Sequence, residues 1–263
     1  MEAAVKEGDA KKVAELMRQQ DPGFMVNMDQ GDGYRSTLLH HACYGDSRSA
    51  VIPLLLAHPE IDVNVKDIIG STPFDYACYY GRTSCVREML KDSRVKVNEP
   101  DGDGCTPLWI AASRGRLNTI KWWIASGREM DLGKPGDVDR TDVIGVAKKY
   151  DNTEVVTLLE RFKENPEETR HAMRLEIGWY DDAAAEMFAL MVFVSDGLLQ
   201  IKDTKTTPAA RFFSITRSLP LELQMVLCHR QVESDKEIIP GKESEVAFKS
   251  LAESLLWSSI FTS

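Results

Sequence analysis

"GSTPFDYACYYGRTSCVREML", residues 70–90, decides how the first half of the chain is read. Thr72 can accept an amide hydrogen bond at the start of a helix, and Pro73 suits the first turn, where no amide partner is needed. Gly81 supplies the left-handed residue that stops the helix. Thr83 can cap a second short helix carrying the run "CVREML" (85–90). Neither helix is long enough to persist alone in water.

The same pattern recurs. "TLLHHA" (37–42), "TPFDYA" (72–77) and "TPLWIA" (106–111) place their threonines 35 and 34 residues apart. A thinner copy, "DVIGVA" (142–147), follows, and a truncated one opens the chain with Ala4 in the alanine position. Each copy precedes a second apolar run: "VAELM" (13–17), "VIPLLL" (51–56), "CVREML" (85–90), "TIKWWI" (119–124) and "EVVTLL" (154–159). "DVNVKD" (62–67) and "KVNEPD" (96–101) lie between copies. A short unit that cannot bury its apolar face alone must stack on its neighbours, and repetition at this period makes a solenoid.

With its T-P-L-x-x-A core, the glycines at 81 and 115 and the V-N-x-x-D link, the segment 1–163 resembles an ankyrin-repeat array. The resemblance implies an all-α solenoid of four to five units whose first helices and finger loops line a concave, partner-binding surface. Carried over position by position, it nominates Tyr34 and Tyr44 in the first full unit, and Ile68, Ile69, Tyr79 and Tyr80 in the second. Asp103 and Arg114 follow in the third, then Arg140, Lys149 and Tyr150 in the fourth. These positions run from aromatic to basic, so the expected partner is a protein presenting an apolar and then an acidic segment. Two units depart from the family pattern. In the first full unit Gly45 comes one residue early, Pro53 interrupts the second apolar run and "DQGDGYRS" (29–36) lengthens the finger; the fourth unit lacks the threonine, proline and glycine.

A helical wheel at roughly 100° per residue puts Phe74, Ala77 and Cys78 on one side, Tyr79 nearly opposite and Tyr80 on the flank. Tyr79 then faces away from the core. Tyrosine combines a large ring with a hydroxyl and is enriched at binding hot spots.

Catalytic and metal chemistry finds no support in the spacing. His40, His41 and Cys43 lack a second ligand pair, and the resemblance gives His40 a bracing role in the finger. Cys43 and Cys78 share the repeat position held by Ala112, which marks a small core residue. Cys228 and His229 are adjacent and diverge on a helix. The glycines follow no phosphate-loop pattern. Trp122 and Trp123 are read as packing residues. No cofactor, metal or enzymatic activity is therefore expected. A net charge of −9 disfavours free nucleic acid and anionic membranes as partners. "AAAEMFALMVFV" (183–194) is too short to cross a bilayer. The N-terminus shows no signal-peptide pattern. Five cysteines without paired spacing suit a reduced cytoplasmic or nuclear protein.

"RFKENPEET" (161–169) breaks the period, and the remainder, 164–263, is expected to be a second, α-helical domain packed on the last repeat. Its expected helices are 167–177, 181–201, 208–217, 219–231 and 243–258. The reason to expect a cap is that the last repeat would otherwise expose a core. Here "SLPLELQMVLCHR" (218–230) resembles the opening of an F-box, with Leu219, Pro220, Leu223 and Leu227 in the carried-over positions. That implies an alternative role as a substrate adaptor of a ubiquitin ligase. A SOCS-type box is disfavoured by Gln224, where that box needs leucine. An enzyme housed in the C-terminal region has no residue support.

Overall fold

The computed structural model describes residues 1–19, 26–133, 141–197, 199, 212, 215–216, 219–232, 234 and 236–261. Every regular element among them is a helix, so the fold is all-α. By its contacts the chain divides into two compact units, the boundary falling between Met173 and Arg174.

The first unit is a stack of helix pairs. They are α1 (Glu2–Glu7) with α2 (Ala10–Gln19), α3 (Leu38–Cys43) with α4 (Ile52–Leu56), and α5 (Pro73–Tyr80) with α6 (Thr83–Lys91). Two more follow, α7 (Pro107–Ser113) with α8 (Leu117–Ser126) and α9 (Val143–Lys149) with α10 (Thr153–Glu164). First helices pack on first helices, α1 on α3 on α5 on α7 on α9, and α6 packs on α8. The wheel reading of α5 holds: Phe74, Ala77 and Cys78 are buried and Tyr79 is exposed. Trp123 of α8 is fully buried and meets Phe74 in a T-shaped pair, the ring centres 5.1 Å apart. Trp122 is only half-buried, under the Arg87 guanidinium at 4.8 Å, so just one of the tryptophan pair is core.

The short helices depend on their caps. Thr72 accepts from the Asp75 amide, and Asp75 answers by accepting from the Thr72 amide at 2.7 Å. Thr83 turns out to be the first residue of α6, with Arg82 before it, and does not cap the helix. The fourth unit folds without threonine, proline or glycine because aspartates replace two of them. Asp142 accepts from the Gly145 amide at 2.6 Å, and Asp151 takes the left-handed conformation (φ 57°) that Gly81 and Gly115 take elsewhere. A side chain there costs about 1–2 kcal/mol. Asp151→Gly is therefore expected to raise stability by roughly 0.5–1 kcal/mol, read from the urea midpoint; a drop would show that the carboxylate contributes more than the strain costs. In the first full unit, the early Gly45 and Pro53 give a 3₁₀ helix (Asp46–Val51) running into the five-residue α4, in place of one longer helix.

Neighbouring units are tied by polar ladders as well as by packing. The side-chain amides of Asn27, Asn64 and Asn98 each donate to a carbonyl of the following unit (Glu60, Arg94 and Glu129) and accept an amide from it. The finger loops also touch backbone to backbone. Ile68 donates to the Tyr34 carbonyl at 2.9 Å, and Gly102 to the Ile69 carbonyl at 3.0 Å. Gly70 (φ 80°) and Gly102 permit this approach, since a Cβ on either would sit 2.4 Å from the other finger's backbone.

Past Pro166, which starts α11 (Pro166–Glu176), the second unit holds α12 (Trp179–Ser195), α13 (Leu221–Gln231) and most of α14 (Gly241–Phe261). Its core joins Ala184, Ala185, Phe188, Ala189 and Met191 of α12 to Cys228, Ile239 and Ala247. Phe248 packs against Phe188 and Phe193. The helix expected over 181–201 begins earlier and ends at Ser195, where Asp196 caps it and Gly197 turns left-handed (φ 73°). The helix expected over 208–217 falls largely outside the described residues.

Candidate protein-binding groove

The finger loops and first helices of three successive units enclose an open groove of about 670 Å³. Seven of the residues nominated from sequence line it: Tyr34, Tyr44, Ile69, Tyr79, Tyr80, Asp103 and Arg114. Ile68, Lys149 and Tyr150 are exposed but lie off its wall, with the Lys149 ammonium 5.6 Å from the Tyr150 ring. Arg140 lies outside the described residues.

The tyrosines do not act alike. Tyr34, Tyr44 and Tyr79 keep 55%, 43% and 38% of their surface exposed, although aromatic rings are normally covered. Tyr80 is half-buried, with its ring 4.3 Å from Tyr44 and 4.9 Å from Tyr79. Burial and its hydroxyl contact with Tyr44 push the Tyr80 phenol up to about 12. Tyr79 is held from the next unit: the Arg114 guanidinium lies 4.1 Å from its ring and reaches its hydroxyl, while Arg116 donates to its carbonyl. Tyr79 and Tyr80 are thus both packed and presented, and the helix orients them in advance.

Sequence reasoning missed the polar floor. Tyr76 lines the groove and donates its hydroxyl to Asp67 at 2.9 Å. Asp32, Asp75 and Asp101 line it too, beside the nominated Asp103. Asp101 is fixed by amides of its own finger, Asp103 at 3.0 Å and Cys105 at 2.9 Å. His40 is buried in the bracing role expected of it: its Nδ1 accepts from the Thr37 amide, so its Nε2 donates to the Ser71 carbonyl at 3.1 Å. Burial pulls its pKa below the ordinary value. The thiols of Cys43 and Cys78 are buried, which raises both well above the ordinary value and suits small core residues.

Asp75 stands out because burial pushes its carboxyl up to about 7, against the lowering effect of its hydrogen bonds from Thr72. Folding then takes up a proton at this side chain. Its contribution to stability is complete below the unfolded value of about 3.9 and is lost as pH rises through about 7. Asp75→Asn is expected to flatten the stability profile between these limits, as read from urea midpoints at pH 5 and pH 8. An unchanged slope would show that Asp75 is ionised throughout.

A stack of paired short helices with finger loops is the architecture of a protein-binding solenoid. The comparisons name its kind. Residues 1–101 match the family of ankyrin repeats in three copies, and that segment is an ankyrin-repeat array. The chain is 34% identical over 148 residues to human SMC5-SMC6 complex localization factor protein 1, which is 54% of this chain and 14% of that protein. It is 33% identical over 159 residues to the bovine protein of that name, 58% of this chain and 15% of that one. Mouse Rabankyrin-5 is 28% identical over 102 residues, 39% of this chain and 9% of that protein. The chain thus spans a small part of the length of the curated relatives it matches.

Proposed function

We propose that this chain is a non-enzymatic interaction module whose groove, walled by Tyr34, Tyr44, Tyr79 and Tyr80, receives a segment of a partner protein. The observation that carries the reading is three exposed tyrosines converging on one preformed groove. Preformed surfaces lose little ordering entropy on docking, and tyrosine is a preferred anchor. The similarity to a protein named for localising a complex supports a partner that is part of a multiprotein assembly, with this chain as adaptor. Five buried cysteine thiols support a reducing compartment, cytoplasmic or nuclear. The carboxylates along the floor favour basic residues on the bound segment, and Arg114 and Lys149 favour acidic ones beyond it. Quantitative affinity capture with the intact chain and with Tyr79→Ala, Tyr80→Ala tests the reading: partners should be depleted from the variant, and equal recovery would contradict it.

The C-terminal unit is proposed to cap the array. A chain ending at Lys163 should then aggregate and melt below the full chain; one that stays monomeric and melts with it would contradict this. One observation favours the ligase-adaptor reading as a second role, namely that Pro220 and Leu223, two of the four carried-over positions, are exposed, while Leu219 and Leu227 are half-buried. Recovery of a cullin-scaffold protein, lost in Leu219→Ser, Leu223→Ser, would support it; a cullin recovered equally with the variant would contradict it.

A further inference from the structure

Three equivalent positions in successive first helices do different work. His40, three residues past Thr37, gives its Nε2 proton to the Ser71 carbonyl at 3.1 Å. Trp109, three past Thr106, gives its Nε1 proton to the Thr141 carbonyl at 3.1 Å. Each ties its helix to the start of the next unit. Asp75, three past Thr72, has no ring N–H to give. Its Oδ2 accepts from the Thr72 amide at 2.7 Å and hydroxyl at 2.8 Å. Its Oδ1 is buried with no hydrogen-bond partner, although the residue, only 2% exposed, lines the groove. Leaving a carboxylate oxygen unpartnered in a buried place is costly. Asp101 and Asp103 of the next finger line the same groove, so the position gathers negative charge. None of the ion pairs among the described residues engages Asp75, Asp101 or Asp103. Burial raises the Asp75 carboxyl and the Asp101 charge adds to the rise, against the lowering effects of the Thr72 hydrogen bonds and the more distant Lys66 ammonium.

Resting on the reading of the groove as the partner surface, we propose that Asp75, with Asp101 and Asp103, forms a subsite for the ammonium group of a lysine on the partner's segment. The ammonium donates to Asp75 Oδ1 and is neutralised by the finger carboxylates. Tyr76, Tyr80 and Trp109 line the approach and can cover the lysine's methylene stem. Lysine fits better than arginine. A compact ammonium on a flexible stem can reach a single recessed oxygen, whereas a guanidinium is best met by both oxygens of a carboxylate. Asp75 Oδ2 is already committed to Thr72.

The test titrates the intact chain, followed by amide NMR, with capped glycine-serine heptapeptides whose central residue is lysine, arginine or norleucine. The lysine peptide is expected to shift the amides of Thr72–Tyr76 and Asp101–Cys105, and to bind about tenfold or more tightly than the norleucine peptide, as one charge-assisted hydrogen bond implies. Asp75→Asn should abolish that preference while retaining the amide pattern of the fold; Asp103→Asn, which leaves the helix cap untouched, should reduce it. Lysine and norleucine peptides that bind equally well, both still shifting Tyr79 and Tyr80, would overturn the subsite and leave the groove reading standing. Lysine-dependent shifts confined to other parts of the chain, or no shift with any peptide, would also overturn the subsite; the groove reading would then be judged by partner capture alone.

Discussion

Trp123→Ala is expected to cost about 3–5 kcal/mol, the largest effect of any single change considered for this chain. Among the described residues Trp123 is the largest fully buried side chain, and it belongs to the third unit while touching Phe74 of the second. Its Nε1 also donates to the Glu129 carbonyl at 3.3 Å, so truncation leaves a cavity and removes one hydrogen bond, the Glu129 carbonyl keeping its bond from Asn98. In a solenoid each unit depends on its neighbours, and a domain's whole stability is only about 5–15 kcal/mol. The variant should therefore shift the urea midpoint sharply or fail to fold as a unit. Trp122→Ala, which removes only a half-buried ring beneath Arg87, should cost about 1 kcal/mol or less. Equal losses from the two variants would contradict the assignment of Trp123 alone to the core.

The second large effect is on binding. Tyr79→Ala, Tyr80→Ala is expected to weaken the partner complex by about 2 kcal/mol or more. The two residues should separate when changed singly. Tyr80 is held among the rings of Tyr44, Tyr76 and Tyr79, and each aromatic pair is worth about 0.5–1.5 kcal/mol, so Tyr80→Ala should lose some stability as well as affinity. Tyr79→Ala removes an exposed ring stacked on Arg114 and should lose affinity with little stability. Surface plasmon resonance beside urea unfolding checks both. Several kcal/mol of stability lost from Tyr79→Ala would mark that side chain as structural.

The repeats were legible because their punctuation is chemical. Threonine before proline starts the helices at Thr72 and Thr106, and glycine ends α5 at Gly81. The wheel correctly separated Phe74, Ala77 and Cys78 from Tyr79, since periodicity alone decides that face. Asp75 was not legible as a groove residue. Along the sequence it is only the third residue of a capped helix, and its second oxygen acquires meaning when the next finger brings Asp101 and Asp103 beside it. Tyr76 was missed for the same reason, its hydroxyl being turned to Asp67 of its own finger. The 3₁₀ helix of the first full unit was hinted at by Gly45 and Pro53, but a local signal of that kind does not fix how the backbone closes. The aspartates that rescue the fourth unit could have been found, since Asp142 is a good cap and aspartate tolerates the left-handed conformation.

The most direct test of the central claim is site-specific photo-cross-linking in the intact chain with its captured partner. A photoreactive phenylalanine analogue is placed at Tyr34 or Tyr79 on the groove, and at Asn118 or Glu154 on the exposed faces of the second helices. The account predicts partner adducts from the two groove positions and none from the other two. Adducts from Asn118 or Glu154 with none from Tyr34 and Tyr79 would contradict it.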